Sequence, residues 1–488
     1  MNYSQFLYMI PEATLVAFLV ILFIEDFCSA RDAERKWLNP FASICFLAQT
    51  IVCLLPTIMG NSNTIDLFGS MYHATPAVNM MKAILTFGTF IVVLQSRNWL
   101  NNTESKMVEG EFYMLTASTL LGMYMMMSAG DFLMFFLGLE MASVPMACMV
   151  ALDKWRNLSA EAAAKFILTA TFSSGVMLYG ISFLYGATGH LYFDDFRMLL
   201  KPTNLSVMGM VFFIAGLGFK ISLVPFHFWT ADTYQGAPTT VTGYLSVISK
   251  GAAAFTLATL LYKVFISLLP FWMLTMMILV VLTITIGNLM AIRQTELKRF
   301  MAFSSISQAG YIMLVVIGGD SIMSTTALMY YVLIYIVANM AVFTIIASVE
   351  NANDGRTDMA TYNGLYRTNP KMAFLMTLAL FSLGGIPPFA GMFSKFFVFL
   401  AAVDGRPTFW PYFIVFIALV NTVVSLYYYL LIVKAMYIRN KEEDGEPIPA
   451  FAMDFNTKLT LVICTVGVAF FGVCSCIYEM LHTAAAAQ

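Results

Sequence analysis

A chain of 488 residues that is 60% hydrophobic and only 11% charged, with a mean hydropathy of +0.78, lies far outside the composition of a soluble globular domain. Its formal net charge of −2 gives no sign of a nucleic-acid partner. Apolar runs of about 20 residues suffice to cross a bilayer as helices, whereas a membrane barrel would show alternating segments of about ten, which are absent here. The fold class is therefore all-α, a polytopic membrane protein in contact with lipid.

The first 27 residues, MNYSQFLYMIPEATLVAFLVILFIEDF, hold no Lys or Arg, which first appear at Arg31. The segment lacks the basic start of a cleavable signal and reads as a retained first helix. Apolar runs bounded by charge, Gly, Pro or Asn then predict helices near 5–25, 41–59, 76–97, 109–129, 131–152, 161–187, 205–230, 238–266, 270–292, 297–318, 322–349, 371–402, 411–438 and 456–480, fourteen in all. They divide into three N-terminal helices in 1–108, a five-helix unit in 109–266, a second in 270–438 and a last helix at 456–480. An odd unit forces its second copy to enter from the opposite side, so the two units are expected to be inverted repeats. Seven cysteines are scattered; the close pair Cys474 and Cys476 falls in the last apolar run and reads as buried small hydrophobes, not a disulfide or zinc framework.

Counting Lys and Arg in the connections tests the topology, because cytoplasmic loops retain positive charge. The odd-numbered loops hold sixteen: Arg31, Arg35, Lys36, Arg97, Lys106, Lys154, Arg156, Arg293, Lys298, Arg299, Arg356, Arg367, Lys371, Lys434, Arg439 and Lys441. The even-numbered loops and the tails hold Arg197, Lys201, Lys263 and Arg406. Odd loops thus face the cytoplasm, and an even helix count leaves both termini outside, on the periplasmic side of a bacterial inner membrane.

Six of the 26 basic residues remain inside predicted spans, and all six are lysines: Lys82, Lys165, Lys220, Lys250, Lys395 and Lys458. An ionisable side chain at mid-helix costs about 2.5–3.5 kcal/mol on insertion scales and normally faces protein or a water-filled cavity. Lysine, unlike arginine, can surrender its proton when desolvated, which suits a protonation switch. Lys458 and Lys82 lie close enough to helix ends to snorkel. Lys165 is about a turn inside its helix, and spacing alone leaves it open. Lys220, Lys250 and Lys395 are too deep for snorkelling.

Glu140, near the middle of the fifth predicted helix, is the matching carboxylate. It either fastens Lys220 in a fixed ion pair or tunes the amine by approaching and withdrawing; both readings require a contact between them. Pro225, five residues after Lys220, is expected to break the seventh helix, and Pro387 and Pro388 precede Lys395 in the same way. Interrupted helices at corresponding positions of two halves point to an ion path. His227 is a possible proton relay or a hydrogen-bonded core histidine; His73, His190 and His482 read as solvated. No phosphate loop, CxxC pair, nucleophile elbow or GxGxxG fingerprint is present, so neither a cofactor nor a metal is expected on this chain.

The stretches GLGFKISLVPFHFWTADTYQGAPTTVTGYLSVISKGAAAF, KRFMAFSSISQAGYIML, FSLGGIPPFAGMFSKFFVF and LEMASVPMACMVAL resemble the antiporter-like membrane subunits of respiratory complex I, and the resemblance runs from IPEATLV to the last helix. Within that family the chain stops without the lateral helix of subunit L. It carries Lys395 where subunit M typically has a glutamate, and Gln308 where a histidine is frequent. The resemblance implies a proton-translocating, non-redox subunit of a translocase, with Glu140 and Lys220 as the coupling pair, Lys165 and Lys250 on a hydrated central axis and Lys395 at the exit. It implies neighbours similar to subunits K and M, with flavin, iron–sulfur clusters and quinone held by other subunits. A subunit of a multisubunit Na⁺/H⁺ antiporter is the alternative in the same superfamily.

Overall fold

The computed structural model describes residues 3–28, 35, 37–59, 64–101, 108–319, 321–353, 355–404, 408–438 and 448–487. Of the loop cations counted above, Arg31, Lys36, Lys106, Arg406, Arg439 and Lys441 lie outside the described residues. After a 3-10 turn at Tyr3–Tyr8 come α1 (Ile10–Cys28), α2 (Leu38–Ile58), a hairpin of β1 (Ile65–Leu67) and β2 (Tyr72–Ala74), and α3 (Pro76–Leu100). Then follow α4 (Glu109–Met127), α5 (Phe132–Val150), α6 (Asn157–Thr188), α7 (Phe193–Leu199), α8 (Asn204–Ile221), α9 (Phe228–Gly236), α10 (Thr239–Tyr244), a π turn at Leu245–Ser249 and α11 (Lys250–Lys263). The remainder forms α12 (Leu269–Ile292), α13 (Leu297–Met313), α14 (Val315–Gly318), α15 (Ile322–Ala352), α16 (Leu365–Thr368), α17 (Pro370–Gly384), α18 (Ala390–Asp404), α19 (Phe409–Tyr437), α20 (Phe455–Phe470) and α21 (Ser475–Ala486).

Among the described residues ten helical segments are long and apolar enough to cross a bilayer, or eleven if α20 and α21 are one bent span. Fourteen were expected. The three that fall short are α1, which carries Glu12, Glu25 and Asp26, α4, which opens on Glu109 and Glu111, and the α17–α18 pair, whose halves are 15 residues each. Helix starts follow capping chemistry: the Asp131 carboxylate accepts from the Met134 N–H, the Thr203 hydroxyl from Ser206 and the Ser321 hydroxyl from Ser324.

Burial sorts the spans into layers. The most apolar windows of α3, α13 and α15 are 89–100% buried, whereas those of α2, α12 and α19 are 33% buried. A helix apolar all round and enclosed is a core helix; one with a single enclosed stripe turns its other face to lipid or a neighbour. The central helices therefore define the interior in which buried cations must find protein partners.

The predicted seventh and twelfth helices are each two pieces. α8 ends at Ile221 with Ser222 in the left-handed region at φ 69°, and α17 ends at Gly384 with Gly385 there at φ 84°. Each break then runs through proline, Val224–Pro225 in the first and Pro387–Pro388 in the second, both bonds cis. Gly385 suits its place twice over, since its φ favours glycine and a Cβ there would approach the Lys395 Cδ at 3.1 Å. The last predicted helix is broken too: α20 turns 83° into α21. This corrects the reading of Cys474 and Cys476, which sit exposed at that elbow rather than buried in a helix.

Candidate functional site

Lys220 occupies the last turn of α8, where the carbonyl end of the helix favours a cation. Backbone groups freed by the break are satisfied by side chains, as a membrane interior demands. The Val224 N–H donates to Thr283 Oγ1 at 2.9 Å, and Trp229 Nε1 donates to the Phe219 carbonyl at 2.9 Å. The Lys220 residue is 5% exposed, and its amine donates to Ser143 Oγ of α5 at 2.8 Å.

The expected contact with Glu140 does not form. Glu140 lies one turn earlier on α5, on the stripe shared with the exposed Leu133, Leu137 and Val144, so it is only half-buried. Spacings of four, three and four residues put these four side chains on one face of the helix. Ser143 points inward instead and intercepts the amine. Glu140 is still the carboxylate whose charge acts on that amine. A cavity of about 270 Å³ opens beside the amine, lined by Ser143, Ser173, Ser174, Phe166 and Phe219.

Lys250 opens α11 directly after the π turn, an irregularity often found where a side chain must be re-aimed. It is 1% exposed; its amine donates to Ser305 Oγ of α13 at 2.8 Å and lies 5.3 Å from the centre of the Tyr234 ring. His227 precedes α9 and stacks on Phe228, and its buried Nδ1 has no partner among the described residues.

Lys395 of α18 solves the pairing problem differently. Its amine donates to the Gly384 carbonyl, the C-terminal end of α17, at 3.2 Å and sits 4.9 Å from the centre of the Tyr311 ring. A helix carbonyl terminus and an aromatic face both favour a cation without supplying a full negative charge. The amine borders a cavity of about 210 Å³ with Gln308, Tyr331, Ser382 and Ser394. Gln308, in the place where the resembling family often has histidine, receives a hydrogen bond from the Tyr331 hydroxyl and donates to Tyr429 at 3.3 Å. Ser304 and Tyr429 are joined at 2.5 Å, so hydroxyls and an amide are linked across α13, α15 and α19.

Lys165 is not on this buried line. Its side chain is 46% exposed on α6 and pairs with Glu161 at 2.7 Å and with Asp232 of α9 at 2.8 Å. Asp232 in turn binds Arg299 of α13 at 2.7 Å. Lys458 is exposed in the first turn of α20.

Lys82 overturns the snorkelling expectation. It is fully buried, and its amine donates to Glu12 Oε1 of α1 at 2.6 Å and to the Tyr72 hydroxyl at 3.3 Å. Tyr72 donates to the other Glu12 oxygen at 3.1 Å. Two further ionic groups escaped the sequence. Lys298, counted as a loop cation, is 1% exposed and donates to the Ala237 carbonyl at 2.7 Å. Glu350 closes the end of α15 by binding Arg156 at 3.1 Å and the Thr239 hydroxyl.

The chain matches the family model described as NADH:quinone oxidoreductase/Mrp antiporter, TM, over residues 129–425. It is 54% identical over 486 residues to NADH-quinone oxidoreductase subunit N of Phocaeicola vulgatus, covering 99% of this chain and 100% of that protein. Among solved structures it is similar to a chain of respiratory complex I from Thermus thermophilus, with a TM-score of 0.76 and 28% identity over 95% of this chain and 97% of the other. A chain of the Mrp complex from Dietzia sp. DQ12-45-1b has a TM-score of 0.84 at 17% identity, covering 100% and 97%, a likeness of fold alone.

Proposed function

We propose a mechanism that starts from one premise: the chain belongs to the NADH:quinone oxidoreductase/Mrp antiporter family. It is a proton-translocating membrane subunit of NADH:quinone oxidoreductase, contributing to a pumping translocase without carrying out its redox chemistry. In this reading flavin, iron–sulfur clusters and quinone belong to other subunits, and quinone reduction there changes the charge or geometry around Glu140. The Lys220 amine responds, and protons pass by way of His227 and Lys250 to Lys395.

The observation that carries this reading is the run of three enclosed amines, at 5%, 1% and 4% exposure, each held by a neutral oxygen and not by a carboxylate. An amine locked onto a carboxylate stays charged, whereas one on a hydroxyl or carbonyl can release a proton and regain it. The exposed Lys165–Asp232–Arg299 cluster supports the line from outside and sets the field at its cytoplasmic side.

Glu140 on an outward stripe of α5 gives the partner. A carboxylate facing hydrocarbon would cost several kcal/mol, so that face is covered in the assembly by a neighbouring membrane subunit, similar to K on one side with M on another. The two breaks, each a left-handed residue followed by proline, support inverted repeats over 109–266 and 270–438. The sixteen-to-four division of loop cations supports odd loops in the cytoplasm, with both termini outside the bacterial inner membrane.

The test is NADH-driven proton translocation by the assembled complex in proteoliposomes. Lys220→Met and Glu140→Gln are each expected to abolish or strongly impair the proton-to-electron ratio. Near-normal ratios in both variants would remove the mechanism.

A further inference from the structure

We propose that Ser143 is a second seat for the Lys220 amine, occupied when the amine is neutral, and that transfer includes movement of the amine between Ser143 and Glu140. This rests on the reading above and adds a positioning residue to it, one that acts through Lys220.

Three features of the geometry carry the proposal. Ser143 is 5% exposed, and its own hydroxyl proton is committed to the Leu139 carbonyl at 2.6 Å, leaving only lone pairs for the amine at 2.8 Å. It can therefore accept from an ammonium or from a neutral amine, and favours neither through charge. Glu140 is three residues away on α5, a rise of about 4.5 Å, within the swing of a flexible four-carbon stem. A cavity of about 270 Å³ borders both Ser143 and Lys220, so the amine is not packed solid on the serine side.

The charges around it are few. Glu140 on α5 is the carboxylate that acts on the amine, α6 presents the hydroxyls of Ser173 and Ser174, and among the residues lining the cavity Lys220 is the only ionisable one. A carboxylate binds an ammonium about twice as strongly as a neutral acceptor does, and gains little from a neutral amine. The position of the amine thus follows its charge: Glu140 holds it protonated, Ser143 holds it after release. The serine keeps the deprotonated amine in the enclosed interior, where the lysine is 5% exposed.

The experiment measures proton-to-electron ratio and pumping rate in assembled complexes carrying Ser143→Ala, Ser143→Thr or Ser143→Asp, with Glu140→Gln alongside. Ser143→Ala is expected to slow pumping about three- to tenfold, the effect of losing one neutral hydrogen bond. Ser143→Thr keeps the hydroxyl and restores the rate to within about twofold, and Ser143→Asp, which traps the ammonium at the second seat, slows it more than alanine does. Wild-type pumping by Ser143→Ala beside an impaired Glu140→Gln overturns the second seat and leaves the underlying function standing; wild-type pumping by both removes the function too. Equal impairment by alanine and threonine assigns Ser143 to packing and overturns the proposal. If the alanine variant does not assemble, a normal threonine variant with a slowed aspartate variant supports it, and equal rates in those two overturn it.

Discussion

Two of the acid–lysine combinations among the described residues differ in whether the contact is closed. Between α1 and α3, Glu12 and Lys82 meet at 2.6 Å with both side chains buried, and Tyr72 bonds to each. Between α5 and α8, Glu140 and Lys220 do not meet: the acid is on the outward face, the amine is on Ser143, and a cavity lies beside it. A closed pair with its hydrogen bonds satisfied has nothing to gain by moving. An open pair leaves the amine a second position to take, which a switch requires. Lys395 is a third case, an amine with the carbonyl end of α17 in place of a carboxylate. Its surroundings are set by the fold and not by a partner that can approach, which suits a station that passes protons on.

The largest effect that would break this comparison concerns stability. Lys82→Met leaves the Glu12 carboxylate buried without its cation, a loss of about 3–5 kcal/mol. The amount of assembled complex should fall steeply, while the proton-to-electron ratio of whatever assembles stays at the wild-type value. Changing both partners, Glu12→Gln with Lys82→Met, removes the stranded charge and should recover much of the assembly. Normal assembly of the single variant with impaired pumping would move this pair from fastening to transport.

A smaller effect sharpens the contrast with the second break. Ser394 lines the cavity shared with Lys395, and Ser394→Asp would give that amine the carboxylate it lacks. Each 1.4 kcal/mol of added ion pairing slows proton release about tenfold, so pumping should drop by about that factor with NADH oxidation slowed in step. An unchanged rate would show that the Lys395 site tolerates a fixed counter-charge and would erase its distinction from Lys220.

The sequence made the depth of Lys220, Lys250 and Lys395 legible, because distance from a helix end is a matter of counting. It also made both breaks legible, since proline fixes where the backbone ladder fails. What it concealed were partners distant along the chain. Lys82 is near a helix end, but the hairpin lays Tyr72 over that end and α1 brings Glu12, 70 residues earlier, against it. Lys298 looked like a loop cation because it lies near the start of α13, yet its amine reaches the Ala237 carbonyl between α9 and α10. The elbow at Cys474 was invisible because apolar composition continues through the bend, and hydropathy measures composition, not direction. The Glu140–Lys220 contact failed for a further reason: Ser143, the more enclosed neighbour one turn along α5, takes the amine.

The smallest effect falls on Lys165, where the placement implied by resemblance and the one found in the structure diverge. Its partners are a helical neighbour, Glu161, and Asp232, and all three side chains are at least 35% exposed. Exposed pairs of this kind contribute little. Removing the lysine also strands no charge, because Asp232 keeps Arg299 at 2.7 Å. Lys165→Ala is therefore expected to lower the pumping rate by less than about twofold, and Asp232→Asn by more, since it takes a carboxylate from Arg299 and leaves Lys165 with Glu161 alone. Loss of pumping in Lys165→Ala as complete as in Lys220→Met would extend the proton path to the surface of α6, and the face carrying Leu168 and Phe172, exposed at 70% and 76%, would then have to be sealed by the neighbouring subunit for the path to hold its protons.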